Sequence, residues 1–266
     1  MARQLYRARL ENKIQLSETT QCFHLEFSVP ALESLEFLSG QFISAVAVDK
    51  AGKNQTRAYS IASAPRSENG MGRFDLCVNR VEGGFFSNLL CDLEPGQEIE
   101  FHGPHGLFTL RKPLTDCIFI GTGTGIAPMR GFTQWLFPTT GPDAGLDRSE
   151  GRNIWLVYGT RHASDIYYED YFEEIAKKHS NFKYCKTLSR ALPEWEGLRG
   201  YVQEHVGNIV QARKATLEVP AAPAPEGGPY DIYAYICGLN EMVNANREML
   251  ESHGWQRKQV IFERYD

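Results

Sequence analysis

A glycine-rich turn carries the chemistry that is most direct to interpret in this sequence. Gly121-Thr122-Gly123-Thr124-Gly125 follows the predicted strand 116–120 and precedes a helical pattern with Pro128 in its first turn. Glycines let a backbone approach a phosphate closely, and a helix N-terminus offers free N–H groups and the positive end of a dipole. The spacing differs from the usual Gly-x-Gly-x-x-Gly, and a turn without a ligand has the same composition. A strand before it and a helix after it favour a dinucleotide pyrophosphate.

The ends of the next two predicted strands carry residues suited to an adenosine phosphate. Gly159-Thr160-Arg161 ends one strand and lacks the acidic residue that binds a ribose 2′-hydroxyl. Ser189-Arg190 ends the next strand, and Arg199 and Tyr201 follow. A hydroxyl, two guanidinium groups and an aromatic face suit a 2′-phosphorylated adenosine, whereas solvated surface arginines explain the same residues equally well. The pattern mildly favours NADP(H) over NAD(H).

Two segments of the first half combine groups that bind a flat ring and phosphates. Arg57-Ala58-Tyr59-Ser60 lies in a predicted strand, where alternation places Arg57 and Tyr59 on one face. Tyr59 can stack on a ring while Arg57 pairs with a phosphate, although an ordinary strand explains this segment alone more simply. Gly83-Gly84-Phe85-Phe86-Ser87-Asn88 opens a short predicted helix, either as a phosphate-binding turn or as a simple cap.

The first half of the chain is predicted to be an antiparallel barrel. Short β-rich runs at regular spacing, separated by turn residues, are typical of such a fold. Six strands are predicted, at 5–16, 22–28, 41–48, 56–62, 73–81 and 98–102, with one helix at 87–92. This domain comprises residues 1–112.

The second half, residues 113–266, is predicted to be an α/β domain. Apolar strands that alternate with helices indicate a parallel sheet covered on both faces, which binds ligands at the carboxyl ends of its strands. Five strands are predicted, at 116–120, 154–158, 182–188, 231–236 and 259–263. Four helices are predicted between them, at 127–136, 168–178, 201–213 and 241–253.

Composition excludes several other classes of protein. A net charge of −5 does not suggest a nucleic-acid-binding protein. None of the six cysteines lies within ten residues of another, so a metal site or iron–sulfur centre is not expected, and scattered cysteines fit a reducing compartment. No apolar run approaches the roughly 20 residues of a membrane helix, and the N-terminus has no signal-peptide pattern. We therefore expect a cytoplasmic protein without a membrane contact, with loops at 139–152 and 219–229.

Seven motifs in a fixed order are recognisable between about residue 40 and the C-terminus. They are Arg57-Ala58-Tyr59-Ser60, Cys77-Val78-Asn79-Arg80-Val81, Gly84-Phe85-Phe86-Ser87-Asn88, Gly103-Pro104-His105-Gly106, the turn 121–128, Cys237-Gly238-Leu239-Asn240-Glu241-Met242 and Glu263-Arg264-Tyr265. This order resembles the ferredoxin–NADP⁺ reductase family, in particular its plant-type branch and the similar bacterial members. The resemblance implies an FAD-binding barrel and an NADP(H)-binding α/β domain.

The resemblance also implies a role for individual residues. FAD contacts are implied for Arg57, Ala58, Tyr59, Ser60, Cys77, Val78, Arg80, Gly84, Phe86, Ser87 and Tyr265. NADP(H) contacts are implied for Gly121, Thr122, Gly125, Arg161, Ser189, Arg190, Arg199, Tyr201, Cys237, Gly238 and Met242. A catalytic role is implied for Ser60, Cys237, Glu263 and Tyr265.

The implied reaction is hydride transfer between NADPH and the N5 atom of FAD, followed by single-electron exchange with a ferredoxin or flavodoxin. Tyr265 covers one flavin face and must move aside for the nicotinamide, while Glu263 relays a proton or anchors the carrier-facing side. We expect a monomer. An acidic carrier needs a basic surface, for which Arg3, Arg7, Arg9, Lys13, Lys53, Arg66 and Arg73 are candidates.

The sequence departs from the family pattern in three respects, and two other functions stay open. Asn79 stands where the plant-type strand has lysine, Asp266 follows Tyr265, and the fused Cys-rich iron–sulfur domain of oxygenase reductases is not expected. One alternative is an NADH-dependent reductase component that serves a separate iron–sulfur protein of an oxygenase. The other is a non-catalytic flavin-binding regulatory subunit.

Overall fold

The computed structural model describes residues 4–49, 51–216 and 230–265. The predicted loop at 219–229, Arg3 and Asp266 lie outside the described residues. The chain forms two compact units: unit 1 comprises Met1–Thr109 and Arg130–Leu146, and unit 2 comprises Leu110–Met129 and Asp147–Asp266. Within the described parts of the chain, no helix is both long and apolar enough to cross a membrane.

In the part of the chain that the structure describes, unit 1 contains an antiparallel sheet, one short helix and the second half of a helix that begins in unit 2. Its strands are β1 (Tyr6–Ser17), β2 (Cys22–Val29), β3 (Phe42–Val48), β4 (Asn54–Ser60), β5 (Arg66–Glu68), β6 (Met71–Asn79) and β7 (Glu98–His105), and α1 (Phe85–Asp92) precedes β7. The order in the sheet is β4-β3-β7-β1-β2-β6-β5. A bridge between Ile61, which directly follows β4, and Leu76 of β6 brings the two sides of the sheet together. The predicted antiparallel barrel is confirmed with seven strands instead of six, because the polar three-residue β5 lacks an alternating pattern.

Alternation of apolar and polar residues along the strands produces the core of unit 1. Phe27 stacks on Phe74 with ring centroids 5.2 Å apart, and Phe74 lies 5.3 Å from the ring of Phe101. All three side chains are fully buried. Each contributes about 1.5–3 kcal/mol by burial, which fixes the faces of β2, β6 and β7.

Unit 2 contains a parallel sheet flanked by helices. The strands are β8 (Asp116–Thr122), β9 (Ile154–Thr160), β10 (Phe182–Leu188), β11 (Leu198–Arg199), β12 (Ile232–Leu239) and β13 (Val260–Tyr265). The helices are α3 (Glu169–Lys178), α4 (Val202–Thr216) and α5 (Asn240–Ser252), and α2 (Ile126–Leu136) starts in unit 2 and continues in unit 1 from Arg130. The predicted parallel sheet is confirmed with six strands instead of five, because the two-residue β11 is too short for a sequence pattern.

The sheet of unit 2 has a topological switch point. Its order is β11-β10-β9-β8-β12-β13, so the chain moves from β8 in one direction and later returns to add β12 on the other side. In open parallel sheets, ligands bind at the carboxyl ends of the strands beside such a switch. A ligand site is therefore expected at the carboxyl ends of β8 and β12.

Candidate active site

The first predicted flavin motif ends strand β4 in unit 1. Tyr59 pairs with Ile43 and Ser60 pairs with Phe42 on β3, so the motif sits on a regular antiparallel ladder. Ser60 is buried, Arg57 is exposed, and Tyr59 is half-buried with its ring against the core of this unit. Burial raises the pKa of the Tyr59 phenol well above its usual value, so the ring stays neutral and suited to stacking.

Strand β6 and the residue after it hold the second group of predicted flavin contacts. Cys77 and Val78 are buried, and the Cys77 Sγ atom lies 3.6 Å from the Sγ atom of Cys22. Arg80 donates hydrogen bonds to Asn88 Oδ1 at 2.9 Å and to Asp92 Oδ1 at 2.6 Å, both on α1. The bond to Asp92 raises the pKa of Arg80, which ties the end of β6 to α1.

The turn before α1 has the features of a phosphate-binding helix start. Gly84 is the N-cap residue, and no side chain caps the helix, so the first-turn N–H groups can serve a ligand. A Cβ atom at Gly84 would lie 2.5 Å from Ser87 Oγ. Ser87 Oγ accepts the Val81 N–H at 3.1 Å, and Phe86 is buried beneath the turn. This cradle fits the phosphates of FAD.

The predicted dinucleotide turn connects β8 to α2 through a short 3-10 stretch, Gly123–Gly125. Thr122 is its N-cap residue and makes no side-chain cap. A Cβ atom at Gly125 would lie 2.0 Å from the Cys237 carbonyl oxygen, so only glycine allows β12 to approach this closely. The phenol of Tyr158 donates to the Gly123 carbonyl at 3.0 Å, which fixes the turn from below. This uncapped turn beside β12 fits a dinucleotide pyrophosphate.

The register of three neighbouring strands gathers predicted catalytic residues at one edge of the unit 2 sheet. Cys237 on β12 pairs with Gly121 on β8 and with Glu263 on β13. Leu239 on β12 pairs with Tyr265 two positions further on. Three residues that are far apart in sequence therefore lie in one row at the switch point.

The environment of Cys237 keeps its thiol neutral. Its side chain is fully buried, and burial raises the pKa of the thiol strongly, against a smaller lowering by a hydrogen bond with the Tyr265 phenol. The Tyr265 hydroxyl also donates to the Thr124 carbonyl at 3.1 Å. Cys237 can therefore present a neutral S–H group but not a thiolate, and Tyr265 rests against the dinucleotide turn.

Gly238 and Met242 lie beside this row. A Cβ atom at Gly238 would lie 2.4 Å from Met242 Cε and 2.6 Å from Thr122 Oγ1. Asn246, which is buried in α5, donates to the Met242 sulfur at 3.3 Å. The small residue at position 238 thus leaves space that Met242 and Thr122 share.

The ends of β9 and β10 place three predicted nucleotide-binding residues side by side. The Ser189 N–H donates to the Thr160 carbonyl and the Arg190 N–H donates to the Arg161 carbonyl, each at 3.0 Å. Ser189, Arg190 and Arg161 are all exposed at this edge. Two guanidinium groups beside a hydroxyl can bind a phosphate.

The guanidinium of Arg199 is bonded to the backbone of the loop that precedes it. Its guanidinium donates to four backbone carbonyls of the preceding loop: Ala191 at 3.3 Å, Leu192 at 3.0 Å, Pro193 at 3.1 Å and Trp195 at 2.6 Å. These bonds make Arg199 a support of the loop that follows Ser189-Arg190. The side chain of Tyr201 is 63% exposed. The contact of Arg199 and Tyr201 with a phosphorylated adenosine stays a prediction.

Sequence reasoning missed several residues that hold these segments in place. Asp75 and Arg130 form an ion pair behind the flavin motif, and the Tyr158 hydroxyl donates a hydrogen bond to the dinucleotide turn. An acidic residue between two large apolar residues of a strand, as in Phe74-Asp75-Leu76, was a signal that could have found Asp75. No sequence pattern marks its partner on α2.

The basic residues proposed for carrier docking are mostly paired with carboxylates. Five of them form salt bridges of 2.6–3.5 Å within unit 1: Arg7 with Glu100, Arg9 with Glu11, Lys13 with Glu94, Arg66 with Asp75 and Arg73 with Glu68. Each pair cancels most of the positive potential of its basic member.

Comparison with known proteins covers both units. Residues 7–110 match the family model of the oxidoreductase FAD-binding domain, and residues 119–248 match that of the oxidoreductase NAD-binding domain. The chain is 40% identical over 233 residues to ferredoxin–NADP reductase B of Sorangium cellulosum (strain So ce56), which covers 86% of each protein. It is 29% identical over 264 residues to the phenol 2-monooxygenase reductase component DmpP of Pseudomonas sp. (strain CF600), which covers 98% of this chain and 65% of that protein.

A solved structure has the same fold. Ferredoxin–NADP⁺ reductase from Plasmodium falciparum with 2′P-AMP superposes with a TM-score of 0.75 at 22% identity, over 98% of this chain and 96% of that one. At this level of identity the likeness concerns the fold alone.

The antiparallel FAD-binding unit and the parallel dinucleotide-binding unit define a flavoprotein oxidoreductase. The chain belongs to the ferredoxin–NADP⁺ reductase family. The family assignment confirms the predicted cofactors, FAD and NADP(H), and the predicted class of enzyme.

Proposed function

We propose that this chain is an NADPH-dependent reductase whose electron partner is a ferredoxin or a flavodoxin, and that it acts as a cytoplasmic monomer. The observation that carries the proposal is the row formed by Gly121, Cys237 and Glu263 at the switch point of the unit 2 sheet. The relative from Sorangium, named for ferredoxin and NADP, supports the choice of carrier and nucleotide. The described cysteines form no disulfide, which suits a reducing compartment.

In this proposal, each of the two predicted domains binds one cofactor. Residues 1–112 bind FAD and residues 113–266 bind NADP(H), and the ranges matched by the two family models lie inside these bounds. When bound, FAD would supply the redox chemistry of the site, namely hydride acceptance at N5 and release of the two electrons one at a time. The protein contributes mainly binding and orientation.

Residues of unit 1 hold the flavin in this proposal. Tyr59 provides a neutral aromatic face, Ser60 lies at the buried end of β4, and Arg57 is exposed for a phosphate. Ala58, Cys77, Val78 and Arg80 line the same ring and phosphates, while Gly84, Phe86 and Ser87 build the uncapped turn before α1.

Residues of unit 2 hold the nucleotide. Gly121, Thr122 and Gly125 receive the pyrophosphate, and Ser189, Arg190 and Arg161 with Tyr201 receive the phosphorylated adenosine. Arg199 supports the loop beside them through its bonds to the backbone carbonyls. Cys237 and Gly238 with Met242 orient the nicotinamide, for which Tyr265 must leave its bond to Thr124. Glu263, in register with Cys237, holds or moves a proton beside the reacting atoms.

A spectroscopic and kinetic assay of the purified protein tests this function. We expect a yellow protein that oxidises NADPH with a lower KM than NADH and reduces a ferredoxin or flavodoxin. A colourless protein that takes up no FAD would contradict the proposal. Reduction of an artificial acceptor would separate an enzyme from a non-catalytic flavin-binding subunit.

A second candidate function follows from the relative in phenol 2-monooxygenase. In this alternative, the chain is an NADH-dependent reductase component that delivers electrons to a separate iron–sulfur protein. A KM for NADH below that for NADPH, together with no turnover with ferredoxin or flavodoxin, would favour it.

A further inference from the structure

The segment that follows the flavin motif is buried and has a fixed backbone. Ile61, Ala62 and Ser63 come directly after Ser60 and are all 0% exposed. The Ile61 N–H donates to the Gln41 carbonyl at 2.9 Å, and the Ala62 N–H donates to the Asp75 carbonyl at 2.8 Å. Because this segment continues β4, its position sets the position of Ser60 and of the residue before it.

Asp75 is a buried carboxylate directly beside this segment. Its side chain is 2% exposed, its Oδ1 accepts from Arg66 at 2.6 Å, and its Oδ2 accepts from Arg130 at 3.0 Å. Its own N–H donates to Ser63 Oγ at 3.1 Å. Burial alone would raise the pKa of Asp75, but Arg66, His24 and Arg130 outweigh that effect and the net shift is downward. The carboxylate is therefore ionised and held from several sides.

One face of α2 contacts the same segment. Arg130 Nη1 donates to the Ala62 carbonyl at 2.7 Å in addition to Asp75, and Gln134 Oε1 accepts the Ala64 N–H at 3.0 Å. At Gly131, a Cβ atom would lie 2.9 Å from the Ser63 carbonyl oxygen. Positions 130, 131 and 134 share one side of a helix, so this face fits residues 61–64 closely.

We propose that Arg130, together with Asp75, is a positioning residue for the flavin. By clamping residues 61–64, the pair fixes the end of β4, so that Tyr59 and Ser60 meet the isoalloxazine ring in one geometry. This inference rests on the proposed contacts of Tyr59 and Ser60 with FAD. Both bonds come from Nη1, which the planar guanidinium holds in a fixed direction toward the Ala62 carbonyl and the Asp75 carboxylate. A lysine ammonium on a flexible stem can replace these bonds only in part.

Arg213 offers a matched control for a purely structural ion pair. It bonds Asp231 at 2.8 Å and Asp116 at 3.2 Å within unit 2, and its side chain is 18% exposed, compared with 14% for Arg130. Neither Arg213 nor its partners belong to the proposed flavin or nucleotide contacts. A substitution at this position reports the cost of losing a half-buried pair without a direct effect on the end of β4.

The experiment compares Arg130→Met, Arg130→Lys and Arg213→Met by thermal unfolding, FAD titration and the visible spectrum and midpoint potential of the bound flavin. We expect Arg130→Met to raise the Kd for FAD about tenfold or more and to shift the spectrum and the potential. Arg130→Lys should recover part of the affinity. Arg213→Met should lower the Tm similarly but leave the Kd, spectrum and potential at wild-type values.

Several outcomes would overturn the inference. Wild-type Kd, spectrum and potential in Arg130→Met, with a Tm loss like that of the control, would make the pair structural only. If Arg130→Met does not fold, Gln134→Leu decides, because it removes only the bond to Ala64: a higher Kd and a shifted spectrum support the inference, and wild-type values overturn it. Failure of the wild-type protein to bind FAD would overturn the proposed function and this inference with it.

Discussion

The two arginines near the proposed adenosine-binding edge differ in what surrounds their guanidinium groups. Arg190 is exposed next to Ser189 and Arg161, whereas Arg199 donates to four carbonyls of residues 191–195. A group that already satisfies a loop backbone is less available to a phosphate. The composition of the segment, a serine and two arginines, could not reveal this difference, because it depends on where the loop carbonyls point.

We therefore expect Arg190→Gln and Arg199→Gln to have different effects. Arg190→Gln should raise the KM for NADPH about tenfold and leave that for NADH nearly unchanged, because a charge-assisted bond to the 2′-phosphate is lost. Arg199→Gln should change the NADPH-to-NADH ratio less and speed amide exchange of residues 191–195. Steady-state kinetics with both nucleotides and hydrogen exchange measure these effects. An equal, NADPH-specific rise in both variants would instead show that Arg199 reads the phosphate directly.

Because of Asp75, we expect the free energy of unfolding of unit 1 to decrease at acidic pH. Its pKa is lowered in the folded protein, so the folded state favours the carboxylate more than the unfolded chain, in which the pKa is about 3.9. The stabilisation is fully present above that value and is lost as the pH falls through the lower, folded value.

We expect Asp75→Asn to cost about 3 kcal/mol at neutral pH, because it leaves the partly buried Arg66 and Arg130 without their counter-charge. The difference from the wild type should begin to shrink below about pH 4, where Asp75 becomes protonated in the unfolded chain, and should disappear only at the lower pH at which Asp75 is protonated in the folded protein as well. Urea unfolding at pH 7, 5, 4 and 3 measures it. Glu174→Gln, which removes an exposed pair with Lys178, should show little change at any of these pH values. A difference for Asp75→Asn that stays constant from pH 7 to pH 3 would contradict the assignment.

At the scale of elements, the dinucleotide turn depends on two glycines for different reasons. A Cβ atom at Gly125 would collide with the backbone of Cys237, whereas Gly123 has a φ of +53° and open space around its Cα atom. Backbone cannot yield as a flexible side chain can. A left-handed conformation costs an alanine only about 1–2 kcal/mol.

Substitution of each glycine by alanine should therefore separate the two effects. We expect Gly125→Ala to abolish measurable NADPH binding, because β12 must move away from the turn, while FAD stays bound to unit 1. Gly123→Ala should lower stability modestly and weaken NADPH binding much less. Difference spectra on titration with NADP⁺ report the affinity. Comparable NADP⁺ affinity in the two variants would show that the close approach of Cys237 is not required.

The sequence predicts most elements, and it fails where a local pattern is missing. Helix α2 and strand β10 are predicted within one residue of their observed bounds, since apolar periodicity and the flanking turns mark both. The strands β5 and β11 have three and two residues and no buried alternation, so their pairing depends on partners distant in the chain. The pair of Asp75 and Arg130 is hidden for the same reason, because the side chains meet only after β6 and α2 have packed.

At the scale of the whole molecule, the charge distribution bears on how an electron carrier docks. The chain has a net charge of −5, and five of the basic residues expected to attract an acidic carrier are paired with carboxylates. Paired charges contribute little long-range attraction.

We expect turnover with ferredoxin or flavodoxin to change by less than about threefold between low and physiological ionic strength. A neutral quinone acceptor serves as the control, since its reduction needs no charged docking surface. A steep decrease with salt for the protein carrier alone would mean that another cationic surface steers the encounter. Stopped-flow measurement of carrier reduction across a salt series checks the expectation.

The row of Gly121, Cys237 and Glu263 also has a consequence for folding of the chain during its synthesis on the ribosome. Strand β8, which lies inside the sheet, is synthesised well before either β12 or β13. Until β12 and β13 emerge, one side of β8 has no neighbouring strand, and the glycine turn at its carboxyl end is exposed on that side. A nascent chain can therefore complete unit 1 early, whereas the row of Gly121, Cys237 and Glu263 is assembled only after β12 and β13 have been synthesised.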